Sequence, residues 1–142
     1  MDQALHMVMV PATDMAALRK FYIDGLGWQS WGADVPGSFM LRAGTAVIVF
    51  VPRDYLAAES GIDLSATARA INAIFVETRV DVEAQFAEAV AAGATVTSPI
   101  RDRDGGLYSG YFTDPEGNGW EIVWSPAMRP GPDGGLTLAL PQ

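Results

Sequence analysis

Glu121 is the residue whose type and setting most directly suggest chemistry. It is the only charged residue in the strand-like run GWEIVW, and the preceding DPEG at 114–117 has the Asp, Pro and Gly pattern of a type I turn. Because strand side chains alternate between two faces, Trp120, Ile122 and Trp124 would pack in a core while Glu121 points the other way. From these residues alone the carboxylate is expected to face solvent, as most strand Glu residues do; burial among apolar groups would instead suit it to act as a general base.

Composition indicates one domain of ordinary size. The sequence has 142 residues, 49% hydrophobic and 18% charged, which is enough to build a core and is unlike a disordered chain. No apolar run approaches the ~20 residues that span a bilayer, so no membrane association is expected. There is no cysteine, and the N-terminus lacks the basic region and cleavage pattern of a signal peptide. These features favour a cytoplasmic protein.

The formal net charge of −8 bears on the choice of partner. It arises from 17 acidic and 9 basic residues, and the densest basic cluster, RDRD at 101–104, neutralises itself. An acidic surface repels phosphate backbones, so no nucleic-acid binding is expected. The charge would steer a cationic ligand favourably, although solubility alone also accounts for it.

The first half of the chain predicts one strand, one helix and three further strands. ALHMVMV (4–10) is rich in β-forming residues, and TDMAALRKFYIDGLG carries apolar residues at helical spacing behind a Thr13 or Asp14 cap. Gly25 and Gly27 can end this helix. WQSWGA, SFMLRAG and TAVIVFVP then predict three strands separated by turn residues.

The second half repeats this order. RAINAIFVET predicts a strand and VDVEAQFAEAVAAG a helix capped by Asp81, with Val90 in its apolar stripe, and ATVTSPI, LYSGYFT and GWEIVW predict three strands. Residues 10–27 and 76–93 match in spacing, which indicates an internal repeat of about 66 residues. The chain is therefore divided into module one (about 4–52), a small-residue linker (about 53–68), module two (about 69–126) and a tail (127–142) with one short strand.

These motifs together resemble the vicinal oxygen chelate superfamily of glyoxalases, extradiol dioxygenases, fosfomycin-resistance enzymes and bleomycin-resistance binding proteins. The resemblance rests on VPATDMAALRKFYIDGLGW in the first half and on AQFAEAVAAGATVTSP and GYFTDPEGNGWEI in the second, and it covers residues 4–126. It implies an α+β fold of two βαβββ modules that form a shared cleft, and a homodimer. In metal-bearing relatives the cleft holds a divalent ion that acts as a Lewis acid on substrate oxygens.

Carried over residue by residue, the resemblance leaves the usual metal triad incomplete. Glu121 stands at the position of the last-strand carboxylate. The first-strand ligand position falls on Met7, with His6 one residue away and so on the opposite strand face, and the position in the second module falls near Ile71. One His and no Cys cannot supply a two-histidine site. No cofactor is therefore expected; if a divalent metal (Ni, Mn, Fe or Zn) binds, Glu121 and His6 are its predicted ligands.

Five residues are predicted to line the ligand site: Met7, Met9, Glu121, Tyr108 and Tyr111. The two methionines share one face of the first strand, where an apolar floor would replace a metal-binding one. The tyrosines would add aromatic walls, which small-molecule pockets favour. Core packing is the alternative role for both methionines and for most of the aromatic residues.

Three functions are consistent with these features. The first is a small-molecule binding protein that takes a partly aromatic or cationic ligand without the usual metal triad. The second is a glyoxalase-like lyase or a dioxygenase with an altered metal site, or a metal-free enzyme, with Glu121 as the catalytic residue. The third is a non-catalytic domain that serves protein association.

Overall fold

The computed structural model of the chain describes Met1, Gln3 and residues 5–32, 37–65 and 70–139. It contains two compact units, Met1–Ala68 and Arg69–Gln142. The elements of the first unit are β1 (Met7–Ala12), α1 (Met15–Arg19), a π-helical segment (Lys20–Gly25), β2 (Phe39–Ala43), β3 (Ala46–Pro52) and α2 (Arg53–Ser60). Those of the second are β4 (Ile71–Phe75), α3 (Arg79–Ala91), β5 (Thr95–Asp102), a 3-10 turn (Asp104–Gly106), β6 (Tyr108–Thr113), β7 (Gly119–Trp124), β8 (Met128–Pro130) and β9 (Leu136–Leu138). The fold is therefore α+β, as predicted.

The first unit has a three-stranded sheet in the order β1-β3-β2, with β1 parallel and β2 antiparallel to β3. The helical segment after β1 packs its buried residues against one face of this sheet. There the ring of Phe50 lies 5.0 Å from that of Tyr22 and 4.7 Å from that of Phe39. Strand alternation places Met9 and Val49 on the other face.

One predicted strand of the first unit is not found in the described residues. WQSWGA does not form a strand in the described residues: it contributes one isolated bridge, Ser30 to Leu41, because Gly32 turns the chain away with a φ of 80°. The predicted linker begins with helix α2, whose end is marked by Gly61 in the left-handed conformation.

The second unit has a four-stranded sheet in the order β4-β7-β6-β5, with β4 parallel to β7 and the other pairs antiparallel. Helix α3 packs on the face that carries Trp120, Ile122 and Phe112, all of them buried. The rings of Phe86 on α3 and Phe112 on β6 meet edge to face at 5.9 Å. The helix therefore covers the face opposite Glu121.

The cap and the apolar stripe of α3 differ from the prediction. Thr78, not Asp81, is the N-cap, and Asp81 closes a capping box by accepting from the backbone N–H of Thr78 at 3.0 Å. Val90 is 46% exposed rather than buried, because it lies about 100° around the helix from the buried Ala89.

Strand β5 is the edge of the second sheet and its pairing is irregular. Its register with β6 shifts between Val96 and Ser98 and again between Ser98 and Arg101, around Pro99. After β7 the tail forms a two-stranded hairpin of β8 and β9, where a single short strand was predicted. Within the described residues, no helix is long and apolar enough to cross a membrane.

Candidate functional site

The turn at 114–118 positions the strand that carries Glu121. The buried carboxylate of Asp114 accepts hydrogen bonds from the backbone N–H groups of Glu116 and Asn118, both at 2.9 Å, and from the Asn118 side-chain amide at 2.7 Å. The backbone N–H of Gly117 donates to the Asp114 carbonyl at 2.9 Å, which is the bond expected of the predicted turn. This local network fixes where β7 begins at Gly119.

Glu121 lies in a row of side chains that crosses the sheet. Its register partners are Ala73 on β4 and Tyr111 on β6, and Tyr111 in turn pairs with Ser98 on β5. Since α3 covers the side of Trp120 and Ile122, alternation places this row on the opposite face. We call these four residues the Glu121 row.

One oxygen of the Glu121 carboxylate is buried without a partner. Oε1 is inaccessible to solvent and has no hydrogen-bond partner among the described residues, as is also true of the hydroxyl of Ser109, a fully buried residue two positions before Tyr111. A buried polar atom that makes no hydrogen bond usually destabilises the fold by about 1–3 kcal/mol, and more when it is charged. Such an acceptor calls for a partner other than the described residues, and a bound ligand is one such partner.

Tyr111 is held between Glu121 and an arginine. Burial raises the pKa of the Tyr111 hydroxyl, and the neighbouring Glu121 carboxylate raises it further. The guanidinium carbon of Arg103 lies 4.8 Å from the centroid of the Tyr111 ring, and its positive charge opposes the rise in pKa. The site thus contains a neutral phenol at ordinary pH with one charge of each sign beside it.

Arg103 is a site residue that the sequence reasoning missed, since it treated RDRD as self-neutralising. The structure pairs Asp102 with Arg79 at 2.8 Å instead. Arg103 donates from Nη2 to the Ser98 hydroxyl and the Pro99 carbonyl, both at 3.0 Å. Charge counting along the sequence could not reveal these contacts, because they depend on the pairing of β5 with β6.

The structure brings two of the five predicted ligand-site residues together. Glu121 and Tyr111 are direct register partners. Tyr108 lies on the α3 side, where its hydroxyl donates to Glu83 at 2.7 Å. This hydrogen bond raises the pKa of Tyr108. Met7 and Met9 belong to the first unit, where they are 38% and 58% exposed on β1.

The residues at the first-strand positions where metal-bearing relatives carry ligands do not fit a divalent metal. Met7 pairs with Val47 and Ile71 pairs with Gly119, so each opens the first strand of its unit. Neither a thioether nor a hydrocarbon is a usual ligand for Ni, Mn, Fe(II) or Zn, which take imidazole, carboxylate or thiolate. His6 is exposed and precedes β1 on the opposite face from Met7, and the described residues contain no group of three His, Cys, Asp or Glu side chains suited to a metal.

The first unit offers an apolar counterpart of the Glu121 row. Val49 pairs with Met9 on one side and Met40 on the other, as Glu121 pairs with Ala73 and Tyr111. The two rows cross their sheets in the same strand order, but the row in the first unit is apolar and the Glu121 row is largely polar. The polar chemistry of the repeat is therefore concentrated in the second unit.

We expect Glu121→Gln to lower the pKa of Tyr111 towards the ordinary value of 10.0, because it removes the negative charge beside the phenol. Because the pKa of Tyr111 is higher in the folded protein than in the unfolded chain, its hydroxyl contributes to the free energy of unfolding. This contribution is fully present below about pH 10 and is lost as the pH rises through the folded-state pKa. Carbon-13 NMR of the tyrosine rings measures the titration, with Tyr111→Phe assigning the signal. Glu83→Gln is the matched control and should shift only Tyr108. An unchanged Tyr111 titration in Glu121→Gln would contradict the coupling.

Comparison with known proteins adds to this geometry. Residues 4–122 match the model of the Glyoxalase/Bleomycin resistance protein/Dioxygenase superfamily. None of the curated proteins matches the sequence significantly. Among solved structures, the chain is similar to a glyoxalase-related enzyme from Fulvimarina pelagi, with 26% identity, a TM-score of 0.85, and 97% of this chain and 99% of that chain covered.

Two more distant structures share the fold. The chain is 24% identical to a glyoxalase/bleomycin resistance protein/dioxygenase family enzyme from Burkholderia phytofirmans PsJN, with a TM-score of 0.73 and with 83% of this chain and 95% of that chain covered. It is 19% identical to a lactoylglutathione lyase from Agrobacterium tumefaciens, with a TM-score of 0.69 and coverage of 87% and 94%.

Proposed function

Because this chain belongs to the glyoxalase/bleomycin resistance protein/dioxygenase superfamily, we propose that it binds a small molecule at the Glu121 row. The observation that carries the proposal is the buried Oε1 of Glu121, which has no hydrogen-bond partner in the part of the chain that the structure describes. A ligand that brings an ammonium group or another N–H or O–H donor to this oxygen would form a charge-assisted hydrogen bond. The ligand would thereby remove the cost of the unpaired acceptor.

The surroundings of Glu121 favour a cationic, partly aromatic ligand. The net charge of −8 attracts a cation from solution. Tyr111 supplies an aromatic ring beside the carboxylate, and aromatic surfaces with few polar groups are typical of small-molecule sites. The proposal requires no metal, in keeping with the poor fit of Met7 and Ile71 to metal ligation.

Titration with small aromatic amines tests this function. Phenethylamine, followed by NMR shifts of the labelled protein, is expected to bind saturably, with shifts centred on Glu121 and Tyr111. Glu121→Gln should weaken binding about tenfold or more, which corresponds to about 1.4 kcal/mol. Glu83→Gln makes the same change of charge on α3 and should leave the affinity unchanged. No saturable binding, or equal losses in the two variants, would overturn the proposal.

A second candidate function is proton transfer to or from a bound substrate, with Glu121 as the general base. The similarity to the glyoxalase-related enzyme from Fulvimarina pelagi, which covers 97% of this chain, favours it. A carboxylate with an unpaired buried oxygen can accept a proton from a substrate carbon held against it. Exchange of solvent deuterium into the CH₂OH group of hydroxyacetone, present in the wild type and lost in Glu121→Gln, would support this function; no exchange above the uncatalysed rate would count against it.

A further inference from the structure

Arg103 and Glu121 both lie against Tyr111 but do not pair with each other. The guanidinium of Arg103 stacks on the Tyr111 ring at 4.8 Å, and the Glu121 carboxylate raises the pKa of the Tyr111 hydroxyl. No salt bridge joins the two side chains, and none of the described residues makes a hydrogen bond to the buried Oε1 of Glu121. Opposite charges in one partly buried site normally pair, since an unpaired charge there is costly. Their separation on the two sides of Tyr111 therefore needs an explanation.

Contacts with β5 and β6 hold the guanidinium of Arg103 in place. Nε donates to the Ser109 carbonyl at 3.2 Å, and Nη2 donates to the Ser98 hydroxyl and the Pro99 carbonyl at 3.0 Å each. Together with the stacking on Tyr111, these bonds fix the plane of the guanidinium. The two N–H groups of Nη1 make no hydrogen bond to the residues that the structure describes. A fixed guanidinium with free donors is suited to a carboxylate or another anionic oxygen.

We propose that the ligand of the Glu121 row is amphoteric, with an acidic group bound by Nη1 of Arg103 and an amino group bound by Oε1 of Glu121. This inference rests on the proposed binding function and narrows the ligand from a cation to a small amino acid-like zwitterion. Such a ligand satisfies both charges at once, which a simple cation does not. It also accounts for the separation of Arg103 from Glu121, because a direct ion pair would occupy both groups.

Four related probes separate the contributions of the two charges. L-Phenylalanine carries both groups, phenethylamine the amine alone, 3-phenylpropionate the acid alone, and 2-phenylethanol neither. NMR titration of the wild type should give an affinity for L-phenylalanine about fivefold or more above that for phenethylamine. The acid and the alcohol alone should bind more weakly than either amine.

Substitutions assign the acid-binding role to Arg103. Arg103→Gln should reduce the ratio of the L-phenylalanine affinity to the phenethylamine affinity to about one, and Arg103→Lys should retain part of the preference. Arg101→Gln, an exposed arginine on β5, is the matched control and should retain all of it. Near-ultraviolet circular dichroism establishes that each variant keeps its aromatic packing.

The outcomes distinguish this inference from the function on which it rests. A wild type that binds L-phenylalanine no better than phenethylamine overturns the inference and leaves the proposed function standing. If folded Arg103→Gln still prefers L-phenylalanine to phenethylamine, the inference is likewise overturned and the proposed function stands. If neither amine binds, both the proposed function and the inference fail.

Discussion

Asp114→Ala is expected to lower the free energy of unfolding by about 2–4 kcal/mol. The carboxylate, 3% exposed, accepts three hydrogen bonds from Glu116 and Asn118 at 2.7–2.9 Å. Alanine leaves these donors without their acceptor inside a tight turn. Urea unfolding followed by tryptophan fluorescence measures the loss.

Asp114→Asn is the matched control because its carbonyl oxygen can still accept the two backbone bonds at Oδ1. We expect a loss of about half that of alanine. Since the turn sets the start of β7, the alanine variant should also bind phenethylamine more weakly, although Asp114 lies outside the Glu121 row. An alanine variant as stable as the wild type would show that the turn is fixed by its backbone bonds and Pro115 alone.

Gly110→Ala is expected to destabilise the second unit by about 1–3 kcal/mol, and Gly110→Val by more. A Cβ at this position would lie 2.6 Å from the Phe86 ring and 2.9 Å from Ile100, closer than real side chains approach. Gly110 has no positive φ, so the effect is steric and not a matter of backbone conformation. Denaturant unfolding again provides the measurement.

A double-mutant cycle tests the steric explanation. Phe86→Leu removes much of the opposing ring, so Gly110→Ala should be tolerated better in that background than in the wild type. Additive losses in the cycle would mean that Phe86 is not the obstacle. Ligand affinity should change little in any folded member of the cycle, because Gly110 lies on the α3 face.

Local rules in the sequence predicted the setting of Glu121 well. The DPEG turn and the alternation along GWEIVW depend only on near neighbours, and both appear in the structure as predicted. Tyr108 and Tyr111 lie three residues apart on β6 and therefore on opposite faces, but alternation alone could not say which face α3 covers. The contact of Phe86 with Phe112 decides that question, and it joins residues far apart in the sequence.

Features that depend on distant partners were beyond the sequence reasoning. Arg103 acquires its role from Ser98 and Ser109, which reach it only through the pairing of β5 and β6. WQSWGA has the composition of a strand, yet the described residues give it only the bridge at Ser30. The sequence predicted Asp81 as the N-cap of α3, whereas the structure has Thr78 there. Both residue types can cap a helix, and only the hydrogen bonds between the two show that Thr78 is the cap.

The irregular pairing of β5 has a consequence for the behaviour of the protein at high concentration. An exposed, regular edge strand is a template on which other chains add strands and begin to aggregate. Pro99 has no N–H to offer, the register shifts on either side of it break the regular row of donors and acceptors, and Arg101 and Asp102 place charges at the same edge. The features that bring Ser98 and Pro99 to Arg103 therefore also protect the protein against fibre growth along this edge.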